Sequence, residues 1–82
     1  MASVFVGNLA WSCTEQQLGD YFSKYGEIES VRIALDRETG RSRGFAHVAF
    51  MDADCANRAV NEANGVEIEG RQIRTDHGRP RN

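Results

Sequence analysis

Phe5, Phe45, His47 and Arg43 are the residues of this chain whose types and spacing point to chemistry. They lie in two segments that alternate in period two, and a β-strand sends successive side chains to opposite faces. In Val4-Phe5-Val6-Gly7-Asn8-Leu9 the valines share one side and Phe5 takes the other. In Arg43-Gly44-Phe45-Ala46-His47-Val48-Ala49-Phe50, Ala46, Val48 and Phe50 share one side, and Arg43, Phe45 and His47 share the opposite one. Both segments hide aliphatic residues and display flat rings. Rings on an open sheet form a platform on which unpaired bases stack, and arginine adds bidentate phosphate contact. A one-residue slip would instead send Val4, Val6, Ala46, Val48 and Phe50 outward together, a much worse arrangement.

The rest of the chain offers little to an enzyme. His47 and His77 are the only histidines, and the sequence holds no HExxH, no P-loop and no serine-histidine-aspartate candidate set. Asp76 beside His77 is the nearest approach to an acid-base pair. Cys13 and Cys55 lack a CxxC spacing and read as reduced, structural thiols. No catalytic residue, metal site or cofactor is expected.

The elements that must position the rings follow from local signals. Thr14 with Gln17 three residues later is a capping box, opening a helix that runs to Tyr25 and stops at Gly26 as a left-handed cap. Leu18, Phe22 and Tyr25 form its apolar stripe. Ile28 to Leu35 alternates as a second strand, with Val31, Ile33 and Leu35 on one side. Asp36 to Ser42 lacks apolar residues and reads as a flexible hairpin connection. Asp52 or Asp54 caps a second helix with Ala56, Ala59, Val60 and Ala63 inward, ended by Asn64-Gly65. Val66 to Gly70 is a turn region. Arg71 to Asp76 is the last strand, with Ile73 and Thr75 inward and Gln72, Arg74 and Asp76 outward. Residues 1–78 are expected to form one domain, and residues 79–82 a polar, disordered tail.

The order is β-α-β-β-α-β, an α+β arrangement of the ferredoxin-like split βαβ type. Eighty-two residues support one small core. No apolar run approaches the ~20 residues of a membrane span. No secretory leader is visible, so an intracellular protein is expected, in nucleus or cytoplasm with an organelle as the alternative.

Net charge is −2, which argues against crude adhesion to nucleic acid. Its distribution is uneven. Residues 31–50 carry four arginines against two acids, and residues 71–82 four arginines against one. Residues 51–70 carry five acids against Arg58 alone. Basic charge thus falls on strands and their flanks, and acid on helices and turns. With helices on one face of a sheet, the molecule has an acidic side and a mildly basic side.

The two ring-bearing segments resemble the RNP2 and RNP1 signatures of the RNA recognition motif. The resemblance covers about residues 3 to 78, with His47 standing where RNP1 has its second aromatic. Trp11 and the stretch Asp36 to Arg43 are most similar to glycine-rich RNA-binding proteins and nucleolin-type repeats. The resemblance implies a four-stranded antiparallel sheet in order 4-1-3-2 with both helices on one face. It implies base stacking on Phe5 and His47, ribose contact at Phe45 and a phosphate at Arg43. Gln72, Arg74, Asp76 and His77 are candidates for reading base edges. Arg32 and Arg41 could hold the strand by charge, and Arg79 and Arg81 could add contacts from the tail. Trp11 is expected to shield the core edge, or else to touch nucleic acid at the rim. His47 either stacks with a smaller ring or merely fills the position.

The partner implied is single-stranded RNA, with single-stranded DNA as an alternative, bound by a monomer in RNA processing or mRNA regulation. A competing reading is a protein-interaction variant that uses the acidic helix face.

Overall fold

The computed structural model describes residues 2–78. The chain runs β1 (Ala2–Gly7), α1 (Glu15–Phe22), a 3₁₀ turn (Ser23–Tyr25), β2 (Ile28–Leu35), β3 (Ser42–Phe50), α2 (Ala53–Ala63), β4 (Glu67–Ile68), β5 (Arg71–Gln72) and β6 (Arg74–Gly78). Four strands form one antiparallel sheet in the order β2-β3-β1-β6. β4 and β5 make a separate two-stranded hairpin. The ring-bearing strands β1 and β3 are therefore central neighbours.

Period-two patterning decides which face is covered. Val4 and Val6 of β1 and Ala46, Val48 and Phe50 of β3 are fully buried. They pack in one cluster with Leu18, Phe22 and Tyr25 from the α1 side, Ala56, Ala59 and Ala63 of α2, and Ile73. Alanines along α2 let helix and sheet approach closely, since they add little side-chain volume between the backbones. Val60 is half-buried at the margin.

The capping box forms: Gln17 N–H donates to Thr14 Oγ1 at 3.1 Å and Thr14 N–H donates to Gln17 Oε1 at 2.9 Å. Asp52 caps α2, its carboxylate accepting from Asp54 N–H at 2.8 Å. Glu15 in the first turn of α1 reaches sideways, and its Oε2 accepts the Ile33 N–H of strand β2 at 3.1 Å. Cys13 is buried, and burial pushes its thiol up, helped by nearby Glu69.

Several boundaries differ from the sequence reading. The first helix tightens into the 3₁₀ turn after Phe22. Gly26 does not take a left-handed helical cap: its φ of 157° with ψ of −176° is a conformation that L side chains rarely adopt. Glycine is needed there for close approach, since a Cβ would collide with Cys55 Sγ on α2. The β2–β3 connection is a closed turn: Asp36 Oδ1 accepts from Glu38 N–H at 2.7 Å and Thr39 N–H at 3.1 Å. Gly40 N–H donates back to the Asp36 carbonyl at 2.8 Å, with Gly40 at φ 74°.

The last strand is broken at Ile73. Its N–H donates to the Val66 carbonyl at 2.9 Å and its carbonyl accepts from Gly65 N–H at 2.8 Å. The sheet resumes at Arg74 and extends through His77 and Gly78, beyond the Asp76 at which the sequence reading ended the strand. Leu35 does not continue the half-buried row of Val31 and Ile33. The register with β3 shifts after Ile33, and Leu35 is 57% exposed. Residues 79–82, expected as the tail and carrying Arg79 and Arg81, lie outside the described residues.

Candidate nucleic-acid interface

Directly paired residues of neighbouring antiparallel strands point to the same face. The register therefore maps the helix-free side in rows. One row runs Arg32, His47, Phe5, Asp76 across β2, β3, β1 and β6. The next row toward the β1 C-terminus pairs Gly7 with Arg74. The row on the other side pairs Ser30 with Ala49, Ala49 with Ser3, and Ser3 with Gly78.

Three rings cluster at the centre. Phe5 and Phe45 lie with centroids 5.8 Å apart and planes inclined by 30°. His47 meets Phe5 at 5.6 Å, edge to face at 69°. Phe5 and Phe45 are half-buried by each other and their neighbours, while His47 is exposed. The Phe5 ring leans across Gly7: a Cβ on Gly7 would sit 2.9 Å from Phe5 Cε2 and 3.3 Å from Cζ. Gly7 therefore sets the tilt of the platform.

Charge surrounds the rings. The Arg43 guanidinium carbon stands 5.6 Å from the Phe45 centroid, a cation over a ring. Arg32, Arg43 and Arg74 are exposed. Among the described residues the one ion pair is Arg58–Glu62 on α2, at 2.9 Å, so these three arginines hold no carboxylate. Glu15, Asp20, Asp54 and Glu62 lie exposed on the helices. Arg43 also faces the carboxylate of Asp36. That carboxyl is held below its ordinary range, first by the N–H groups of Glu38 and Thr39 and further by Arg43.

Phe5, Phe45, His47, Arg43, Arg32, Arg74 and Asp76 thus share one face. Three other predicted residues do not. His77 pairs with Val4, whose side chain is covered by the helices, so His77 projects from the opposite face at the sheet edge. The sequence reading ended the last strand at Asp76 and so did not extend the alternation to His77. Arg41 lines a groove with Trp11, Glu15, Ile33 and Leu35 on the helix side of the β2–β3 hairpin. Gln72 lies in the small hairpin outside the main sheet. Its carbonyl accepts from Asn8 Nδ2 at 2.7 Å. Trp11 is 74% exposed and shields little of the core.

Sequence reasoning overlooked Gly7 and Asn8. Asn8 adopts φ 59°, and its Oδ1 accepts from Arg71 Nη2 at 2.6 Å. It fastens the β4–β5 hairpin to the end of β1. The asparagine of the hexamer Val4 to Leu9 was the available signal for that role.

The family model described as RNA recognition motif matches residues 4–74. Glycine-rich RNA-binding protein 4, mitochondrial, of Arabidopsis thaliana is 44% identical over 75 residues, covering 92% of this chain. The chain spans 55% of that relative's length. The crystal structure of RNA Binding Protein PG1 superposes with a TM-score of 0.93 at 36% identity, covering all of this chain and 99% of that one. The structure of the Rna15 RRM with bound RNA (GU) superposes with a TM-score of 0.82 at 29% identity, over 93% of this chain and 81% of that one. With the sheet order, the paired ring-bearing strands and a match across nearly the whole length, the chain belongs to the RNA recognition motif family.

Proposed function

We propose that the chain binds single-stranded RNA on the helix-free face of its sheet. The observation that carries this reading is the cluster of Phe5, Phe45 and His47 on the helix-free face of the central strands, flanked by three exposed arginines that are in no ion pair among the described residues. Phe5 and His47 stack successive bases, Phe45 packs against ribose, and Arg43 and Arg32 meet phosphates. Stacking contributes about 1–3 kcal/mol per base. Two or three such sites, less the cost of ordering a flexible strand, give affinity on the order of micromolar. Single-stranded DNA meets the same rings, and contacts to 2′-hydroxyls separate the two. The protein acts as a monomer, in RNA processing or mRNA regulation.

The test is a fluorescence-anisotropy titration with short single-stranded RNA, repeated with Phe5→Ala and Phe45→Ala. Each variant is expected to weaken binding at least fivefold, the low end of the stacking range. If both bind like the parent, the stacking account fails.

A further inference from the structure

Asp76 is an acid on the outer strand β6 of a surface for a polyanion, directly across from the central ring Phe5. That placement needs a reason. Its Oδ1 accepts the neighbouring His77 N–H at 2.7 Å, within the strand. It forms no ion pair with Arg74, two residues earlier on the same face, although their charges are opposite. Both side chains are exposed. Arg74 stands across from Gly7, which has no side chain, and the Phe5 ring leans over that glycine. A base lying on Phe5 therefore has one edge toward β6, where a donor and an acceptor wait side by side.

We infer that this pair selects guanine at the Phe5 position. The inference rests on the RNA-binding reading above. An ionised carboxylate offers acceptors only, two oxygens in a plane. Guanine is the base with two adjacent donors on its Watson–Crick edge, N1–H and the N2 amine. Its O6 acceptor follows next along that edge, facing the arginine. Adenine and cytosine each present a ring-nitrogen acceptor beside their amine, which a carboxylate repels. Uracil flanks its single donor with two acceptors. Asp76 thus accepts from N1–H and the N2 amine, and Arg74 donates to O6. The acid rejects the other three bases as much as it attracts guanine, which is how specificity is built when stacking itself tolerates every base.

The experiment uses the full 82-residue chain and a labelled uridine-rich hexamer carrying G, A, C or inosine at one site. Guanosine is expected to bind roughly tenfold more tightly than adenosine or cytidine, the low end for a good bidentate pair. Inosine keeps N1–H and O6 but lacks the N2 amine, so it should lose several-fold. In Asp76→Asn the guanosine and inosine hexamers should converge. Equal binding of G, A and C by the parent overturns the inference, as does an undiminished guanosine preference in Asp76→Asn. Phe5→Ala serves as the separate control: loss of binding to every hexamer supports the stacking surface. If that variant binds like the parent, the stacking surface itself is wrong.

Discussion

Replacing Gly7 with alanine should damage the binding face while leaving the fold intact. The added Cβ would meet Phe5 Cε2 at 2.9 Å and Cζ at 3.3 Å. Ordinary carbon contacts lie at about 3.5–4.0 Å, so the ring edge must retreat by about 0.6–1 Å. It cannot do so without changing its 30° inclination to Phe45 and its edge-on contact with His47. A tilted platform should lose about 1 kcal/mol, the lower end of the worth of one stacked base, or roughly fivefold in Kd. Gly7 is not among the positive-φ positions, so alanine fits the backbone. It also lowers the entropy of the unfolded chain, worth about 0.4–1 kcal/mol in favour of folding. The variant should therefore melt within a few degrees of the parent while binding single-stranded RNA several-fold more weakly. Parallel thermal melts and anisotropy titrations check both halves. Unchanged affinity would refute the idea that ring tilt matters. Large destabilisation would refute the claim that the contact is confined to the Phe5 ring.

Gly26→Ala should destabilise the fold by on the order of 2 kcal/mol, through an unfavourable φ and the collision with Cys55; urea melts of the single variants and the pair with Cys55→Ala should show non-additive coupling, and strict additivity would sink the contact. Asp36 has a lowered pKa, so its turn is held together above the ordinary carboxylate range and is released as pH falls through the depressed value. The Glu38 and Thr39 amide NMR shifts should move together at a pH lower than a free aspartate titrates, and Asp36→Asn should abolish the movement; titration in the ordinary range would contradict this. Arg43→Ala should flatten the salt dependence of RNA binding by about 0.7 in the log–log slope, one phosphate on a single strand; an unchanged slope would remove Arg43 from the phosphate contacts.

The central strands and both helix starts were legible because their signals are local. Alternation placed Val4, Val6, Ala46, Val48 and Phe50 inward, and Thr14 with Gln17 marked the α1 start. What escaped the sequence depends on partners far along the chain. His77 and Gly78 have weak strand signals, yet Val4 and Ser3 offer them backbone partners, and pairing overrides propensity. Once His77 is in the strand, alternation after Asp76 turns it to the helix face. The break at Ile73 is set by Gly65 and Val66, whose backbone groups take its hydrogen bonds. Arg41 was assigned by charge alone, and charge carries no direction. Gly7 escaped notice because its importance lies in what a missing side chain lets the Phe5 ring do.

The carboxylate that α1 extends to Ile33 has a bearing on solubility as well as on shape. Strand β2 is an outer strand, and the outward amides of such a strand invite a stranger's backbone to join the ladder. Glu15 occupies one of those amides and plants a negative charge beside the rim. A chain trying to lengthen the sheet there would have to evict it, so self-association through β2 is discouraged without altering the surface that faces the nucleotides.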